Sequence, residues 1–313
     1  MMTTEIAEPM AVRWRAAIDR PETKGIALGL FAAAIWGAYL AMAKAGVSSG
    51  LTASDIAVIR YGIAGLIMLP WLVTRDVRTC GGVGWKRGIV LALLVGPLFI
   101  LIGVGGYRYA PLAHGAVMQP AALTILSIIL AAFVLKDRPT FGRLLGIACM
   151  LTGLAIIAGP ALLHGGSLTP LGDAMFIAAG SMWAVFTLLT KRWNVASVPA
   201  TAAVSVLSAA VYVPYYYGTE GIERLLAAAP SMLLAQALVQ GVLSGVVAVL
   251  AFTKAASLIG TARAAVFPAL VPAVAVLFGI PIAGEWPNGL QVAGLGLVSL
   301  GLLVAIGAIK GLR

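Results

Sequence analysis

The sequence predicts an all-α integral membrane protein with ten transmembrane helices, arranged as two inverted five-helix repeats. Three observations lead there. Of the 313 residues, 61% are hydrophobic and only 10% are charged, whereas a soluble domain carries roughly 25% charged residues. Ten apolar runs are each long enough to cross about 30 Å of hydrocarbon at about 1.5 Å per helical residue. The chain also repeats itself: Trp36 falls on Trp183 and Lys44 on Lys191 at an offset of 147, and Pro120, Asp137, Gly146 and Gly153 fall on Pro268, Glu285, Gly294 and Gly301 at 148. Five spans per repeat is an odd number, so the second half must enter the membrane from the opposite side. Inverted repeats of this kind place a binding site at the bilayer midplane and yield two related conformations, which is the architecture of a carrier.

The spans lie near 25–44, 55–74, 88–108, 114–135, 141–160, 171–190, 199–217, 231–253, 262–283 and 288–309. The first ends at Lys44, and the sixth ends at its counterpart Lys191. The second and seventh carry the matched Pro70 and Pro214, and the third and eighth the matched Gly96 and Gly241. Pro120 and Pro268 mark the fourth and ninth, and a glycine ladder marks the fifth and tenth. Uninterrupted apolar runs, rather than alternating ten-residue strands, make these helices and not a barrel. The chain divides into a tail (1–24), a first repeat (25–160) and a second, inverted repeat (171–310). The tail holds four acids and four bases and no apolar core, so it reads as a cytoplasmic segment and not a cleavable signal peptide.

Basic residues set the orientation. With the N-terminus inside, the inner segments hold seventeen Lys and Arg, and the outer ones only Lys44, Arg108 and Arg224; Arg60 lies within a span. That bias places both termini in the cytoplasm of a cell whose plasma (inner) membrane the chain spans. The formal net charge of +10 is therefore a topology signal that suits anionic lipid. No basic stripe interleaved with aromatics points to nucleic acid. Cys80 and Cys149 suggest neither a disulfide nor a metal site, and His114 and His164 are too few and too far apart for a metal cluster. No cofactor is implied. Acids stand at loop ends without a DxxxD or DDxxD pattern, which argues against a membrane transferase acting on metal-bound diphosphate, so the chain does not read as an enzyme.

Thirty-seven glycines exceed what the loops need. Gly142 and Gly146 form a GxxxG pair, which lets helix backbones approach closely, either inside the bundle or across a seam between two copies; a monomer and a homodimer both fit. Pro120 and Pro268 each free a carbonyl one turn back, at Ala116 and Ala264, as expected of helices that bend beside a cavity.

Two five-helix halves, Trp36-Gly37 in the first span, the Ala-rich ninth span with Pro268, Gly284-Glu285 and the Gly-rich last span together resemble the EamA-type branch of the drug/metabolite transporter superfamily. The resemblance covers residues 25–310. The first half departs from the pattern at Lys136-Asp137-Arg138, where Asp stands for Glu. Within that branch the chain looks most like the YddG-type exporters of aromatic and other neutral amino acids. The resemblance implies a small-molecule substrate and a lipid environment.

The residues narrow the solute. No acid lies near the midplane, which disfavours organic cations, since desolvating a cation without a counter-charge is costly. A single intramembrane Arg60 is thin provision for phosphate esters. A neutral or zwitterionic solute with an apolar part fits better, such as an amino acid, and passage down the solute gradient is the simplest energetics. Helical spacing puts Trp36, Tyr39 and Leu40 on one face and Trp183, Phe186 and Thr187 at the equivalent positions; aromatic faces can stack on a solute or hold an ammonium group. Gln119, Gln240 and Ser244 are polar groups deep in apolar spans. With Pro120 and Pro268 these complete the expected cavity lining. Each has a plainer reading as helix packing or interhelical hydrogen bonding. His114 and Arg108 lie at the outer mouth, where they could attract a carboxylate but read better as solvated loop positions, and Lys44 and Lys191 read as snorkelling side chains. Two alternatives stay open: export of another small metabolite (nucleoside, nucleotide sugar or drug-like solute), or a lipid-handling membrane protein with no solute flux.

The charge bias makes a direct prediction. A single cysteine at Asn288, in a background lacking Cys80 and Cys149, should react with an impermeant thiol reagent added from outside. A cysteine in the loop from Lys136 to Arg143 should not.

Overall fold

The computed structural model describes residues 21–134, 136, 139–163 and 167–308, so Asp137, Arg138 and His164 lie outside the described residues. The described chain is helical, without strands, and crosses ten times: α1 (Pro21–Ser48), α2 (Ala53–Arg75), α3 (Trp85–Arg108), α4 (Leu112–Val134), α5 (Phe141–Leu163), α6 (Thr169–Arg192), α7 (Ser197–Thr219), α8 (Pro230–Ile259), α9 (Val266–Ala283) and α10 (Gly289–Ala305). Nine are 18 residues or longer and apolar enough to span a bilayer; α10 is shorter but equally apolar. This is the ten-helix inverted repeat expected. We call the side on which α1 begins the terminal face and the other the opposite face.

Local chemistry sets several helix ends. Thr52 caps α2 by accepting from the Asp55 amide, and the Asp55 carboxylate accepts from the Thr52 amide, a reciprocal box that satisfies two amides with no partner inside the helix. Asn288 and Gln291 do the same for α10.

The third helix of each half is irregular. α3 breaks at Gly96, after which Pro97 starts a new helix of seven residues. A side chain at Gly96 would sit 2.1 Å from the Ala92 carbonyl oxygen and 2.6 Å from the Ser208 hydroxyl of α7. Gly241, the repeat counterpart, lies within an eleven-residue π-helical stretch of α8, Ala237–Val247. Such stretches widen the helix and re-aim its side chains.

The two prolines expected to bend matched helices behave differently. Pro120 lies inside a continuous α4. Pro268 falls in the first turn of α9, because the chain has already broken at Ala265 between a four-residue turn of helix, Thr261–Ala264, and Val266. A proline in a first turn removes no intrahelical hydrogen bond, so the expected loss at the Ala264 carbonyl does not apply. The prolines interior to α9 are Pro272 and Pro281.

The halves are interlocked rather than side by side. α1 packs along α9 and α8 of the second half, while α6, its counterpart, packs along α4 and α3 of the first; α2 packs on α7, and α5 on α10. The glycine ladder lies in the last of these seams. A Cβ at Gly301 would lie 2.8 Å from the Gly146 carbonyl oxygen, and one at Gly294 2.8 Å from that of Gly153. Because Gly146 and Gly294 are repeat counterparts, as are Gly153 and Gly301, one contact is the symmetry image of the other. This part of the glycine pattern is spent inside the chain. Leu66, Phe133, Val211 and Leu234 project from the bundle as an apolar exterior, as lipid contact requires.

Gly153→Ala and Gly301→Ala should each destabilise the protein by about 1–3 kcal/mol through overpacking. Gly296→Ala, on the open side of α10 where nothing lies within 4 Å, should be nearly neutral. Thermal unfolding of the three variants in detergent checks this.

Candidate functional site

The polar interior is organised around Arg60. The capping box at Thr52 fixes the start of α2, and Arg60 comes two turns later with its side chain inside the bundle, 9% exposed. It donates from Nη1 to the Ser244 hydroxyl of α8 at 3.0 Å. Its guanidinium carbon stands 5.0 Å from the Tyr39 ring centre and 5.8 Å from that of Tyr61. Tyr61 is held in turn by donating at 2.6 Å to the Val95 carbonyl, at the break in α3. Gln240 donates to the Tyr39 carbonyl at 3.2 Å and Gln236 to the Met42 carbonyl at 2.7 Å, tying α8 to α1. The side-chain oxygens of both glutamines are buried without a hydrogen-bond partner among the described residues.

Nearer the opposite face the halves are laced together by charge. Lys44 Nζ lies 3.1 Å from Glu285 Oε1 and donates to the carbonyls of Tyr107 (3.1 Å) and Ala110 (3.3 Å). Gly284, in the left-handed region at φ 68°, ends α9 and turns the chain into Glu285. The other Glu285 oxygen accepts from the Leu112 amide at 2.7 Å, capping the positive end of α4. Lys44, with 13% of its side chain exposed, is thus a structural cross-link and not a snorkelling residue, whereas Lys191 is exposed as expected. His114 is likewise not a solvated loop position: it is 4% exposed, and its Nδ1 lies 2.8 Å from Asp173 Oδ1, joining α4 to α6. Asp55 is also fully buried, bonded to Tyr216 and Arg224.

The repeat symmetry is broken, and in one direction. Eight of the twelve residues 34–45 of α1 are buried, against Ala184 alone in the equivalent stretch 181–192 of α6. In α9, five of residues 271–282 are buried; in α4, none of the equivalent 123–134 is. Helix halves equivalent in sequence are therefore packed toward the opposite face and splayed toward the terminal face.

The residues singled out from sequence divide accordingly. Tyr39 and Ser244 contact Arg60, Gln240 bonds to the Tyr39 carbonyl, and Leu40 is buried next to Tyr39 in sequence. Trp36 packs on Phe252 of α8, with ring centres 5.4 Å apart. Trp183 packs on Phe99 of α3 and on Phe186, at 5.2 and 5.8 Å, so the matched tryptophans line different walls. Phe186 and Thr187 lie on the splayed part of α6, and the Thr187 hydroxyl donates to the Trp183 carbonyl of its own helix. Gln119 and Pro120 stand where α4 crosses α6 at Gly180, and Pro268 at the head of α9. Two discrete cavities lie elsewhere: one of about 330 Å³ beside Glu285 and Trp286, and one of about 300 Å³ beside Asp173, between α4, α5 and α6. None of the eleven lines either cavity.

The family model for the EamA-like transporter family matches residues 23–159 and again 170–307. The chain belongs to the EamA-like transporter family. It is therefore a multi-pass membrane transporter of small solutes in the drug/metabolite transporter superfamily, built from two EamA repeats. Among solved structures, one described only as "Crystal structure of protein" is similar in fold, with a TM-score of 0.58 at 17% identity over 91% of this chain and 96% of that one. No curated protein matches the chain.

Sequence reading missed the Lys44–Glu285 and His114–Asp173 pairs. A signal for the first was present, because Lys44 and Glu285 each have a charged repeat counterpart, Lys191 and Asp137. A repeat aligns a residue with its copy, however, and not with its partner.

Glu285→Gln, which removes the ion pair but keeps an acceptor for the Leu112 amide, should cost up to about 1 kcal/mol, as partly exposed pairs do. Glu285→Ala also removes the cap and should cost roughly 1 kcal/mol more. Melting temperatures of the two variants in detergent provide the check.

Proposed function

We propose that this transporter exports small neutral metabolites, amino acids including aromatic ones, across the plasma membrane by alternating access, with its termini in the cytoplasm. One observation carries the reading: helix halves that are equivalent in the two repeats are packed at one face and splayed at the other, and the splayed α6 bears Trp183, Phe186 and Thr187. In a two-fold inverted repeat, exchanging the packing of the two halves produces the mirror state, open to the opposite face. The seventeen-to-three charge bias makes the splayed side cytoplasmic, where an exporter loads. Lys44–Glu285 then closes the outer side, and its release accompanies opening.

The solute class follows from what the interior offers. Asp55 and Asp173, the buried carboxylates among the described residues, already hold basic or hydroxyl partners. Asp55 is thereby neutralised by Arg224; Asp173 is held through Oδ1 by His114, and its Oδ2, without a partner among the described residues, lies near the start of α6, away from the aromatic walls. The walls are aromatic instead: Trp36 with Phe252, and Trp183 with Phe99 and Phe186. Tyr39 and Leu40, buried in this state, belong to the half that opens in the other. Gln119 and the proline-bearing segments at Pro120 and Pro268 border the moving helices α4 and α9.

An aromatic stack is worth about 0.5–1.5 kcal/mol beyond area burial. In liposomes holding the purified protein, Trp36→Ala and Trp183→Ala should therefore weaken tryptophan transport by a few-fold to about tenfold, and alanine transport less. Equal loss of both solutes, tracking a lowered melting temperature, would assign the two residues to packing.

A further inference from the structure

Arg60 carries a charge that no carboxylate among the described residues balances. Its guanidinium offers five N–H donors; it meets the Ser244 hydroxyl and the side chain of Tyr61, which leaves most of the fork for another acceptor. Among the described residues no carboxylate lies within 4 Å of it: Glu285 is engaged by Lys44, Asp173 by His114, Asp55 and Glu220 by Arg224, and Glu22 by Arg263. Two tyrosine rings soften the cost of the buried cation, but they do not neutralise it.

The reciprocal deficit lies next to it. Gln240 is fully buried, and its amide is oriented by the bond from Nε2 to the Tyr39 carbonyl, which leaves Oε1 as a buried acceptor with no donor among the described residues. Gln240 precedes Ser244, the acceptor for Arg60, by four residues in the π-helical stretch of α8, and it bonds to the carbonyl of Tyr39, whose ring lies beside the guanidinium, so the two groups share Tyr39 and one stretch of α8 as neighbours. Both groups are 9% exposed or less. Such groups are expensive to leave unmatched in a membrane interior.

We propose that Arg60 binds the carboxylate, and Gln240 Oε1 the ammonium group, of a zwitterionic α-amino acid, with Ser244 fixing the guanidinium. A planar guanidinium matches a carboxylate in two parallel hydrogen bonds. Trp36 lies three residues before Tyr39 on the same face of α1, so the solute's side chain extends from this site over the Trp36–Phe252 wall. The assignment rests on the exporter reading above and adds to it the polar half of the substrate.

The test uses the full chain in liposomes and counterflow of three labelled solutes. Phenylalanine carries both groups, phenylpropionate only the carboxylate and phenethylamine only the ammonium. Arg60→Gln should lower phenylalanine and phenylpropionate flux at least about tenfold, the effect of losing hydrogen bonds to a charged group, without lowering phenethylamine flux. Gln240→Met should lower phenylalanine more than phenylpropionate. Arg60→Lys keeps the charge without the fork; should Arg60→Gln not fold, Arg60→Lys must still favour phenylpropionate over phenethylamine. Unchanged phenylalanine flux in Arg60→Gln would overturn this proposal and leave the exporter reading standing, as would equal loss of all three solutes in either Arg60 variant. Arg60-dependent flux of phenylpropionate with no phenylalanine flux in the wild type would overturn the amino-acid reading and the ammonium half, and leave the carboxylate site. Flux of none of the three would overturn both.

Discussion

In a bilayer, helices gain nothing by burying leucine against leucine, since lipid chains are equally apolar. A bundle there is held by close backbone approach and by polar groups that have nowhere else to go. This protein uses both. The α5–α10 seam brings Gly146 to Gly301 and Gly153 to Gly294, so that no Cβ could be added to these glycines without meeting backbone. Gly180 similarly admits α4 against α6, with the Gln119 carbonyl where a side chain would be. These approaches fix the frame on which the other helices sit. Because the repeats exchange helices across the pseudo-two-fold axis, neither half can complete its packing without the other.

Within that frame the polar residues act at two levels. Some are cross-links: Lys44 with Glu285, and His114 with Asp173, each joining a helix of one half to a segment of the other. The first is the more fully bonded, since Lys44 also meets two carbonyls and Glu285 also caps α4, whereas Asp173 Oδ2 has no partner among the described residues. Others are left with bonding capacity in hand, above all Arg60 and the side-chain oxygens of Gln236 and Gln240. A buried cation and buried acceptors cost stability when unmatched, which is why the proposed solute contacts lie there. The irregular third helices serve the same region. The break at Gly96 supplies the carbonyl that anchors Tyr61, and the π stretch of α8 presents Gln240 and Ser244.

Much of this was legible in the sequence because it depends on periodicities. Apolar run lengths set the number of spans, an odd count per repeat required inversion, and the EamA family followed from the Trp-Gly, proline and Gly-Glu positions. The glycine ladder announced close packing, but its partner came only from the fold. Tyr39 was a candidate by its face on the first span, and Gln240 and Ser244 by depth and polarity; Tyr39 and Ser244 contact an arginine that sequence marked merely as lying inside a span, and Gln240 bonds to the Tyr39 carbonyl. The discrete cavities beside Glu285 and Asp173 had no sequence signal, because their linings come from segments far apart in the chain.

By itself, then, the sequence determined the helical class, the ten crossings and the inverted repeat, because hydrocarbon thickness and backbone hydrogen bonding allow few other solutions to such runs. Tertiary structure alone decided which charges meet, since ion pairs such as Lys44–Glu285 depend on distances between residues more than two hundred positions apart. It also decided how differently the two repeats pack. A repeat in sequence treats both faces alike, and only the packing of α1 and α9 against the splaying of α4 and α6 tells them apart.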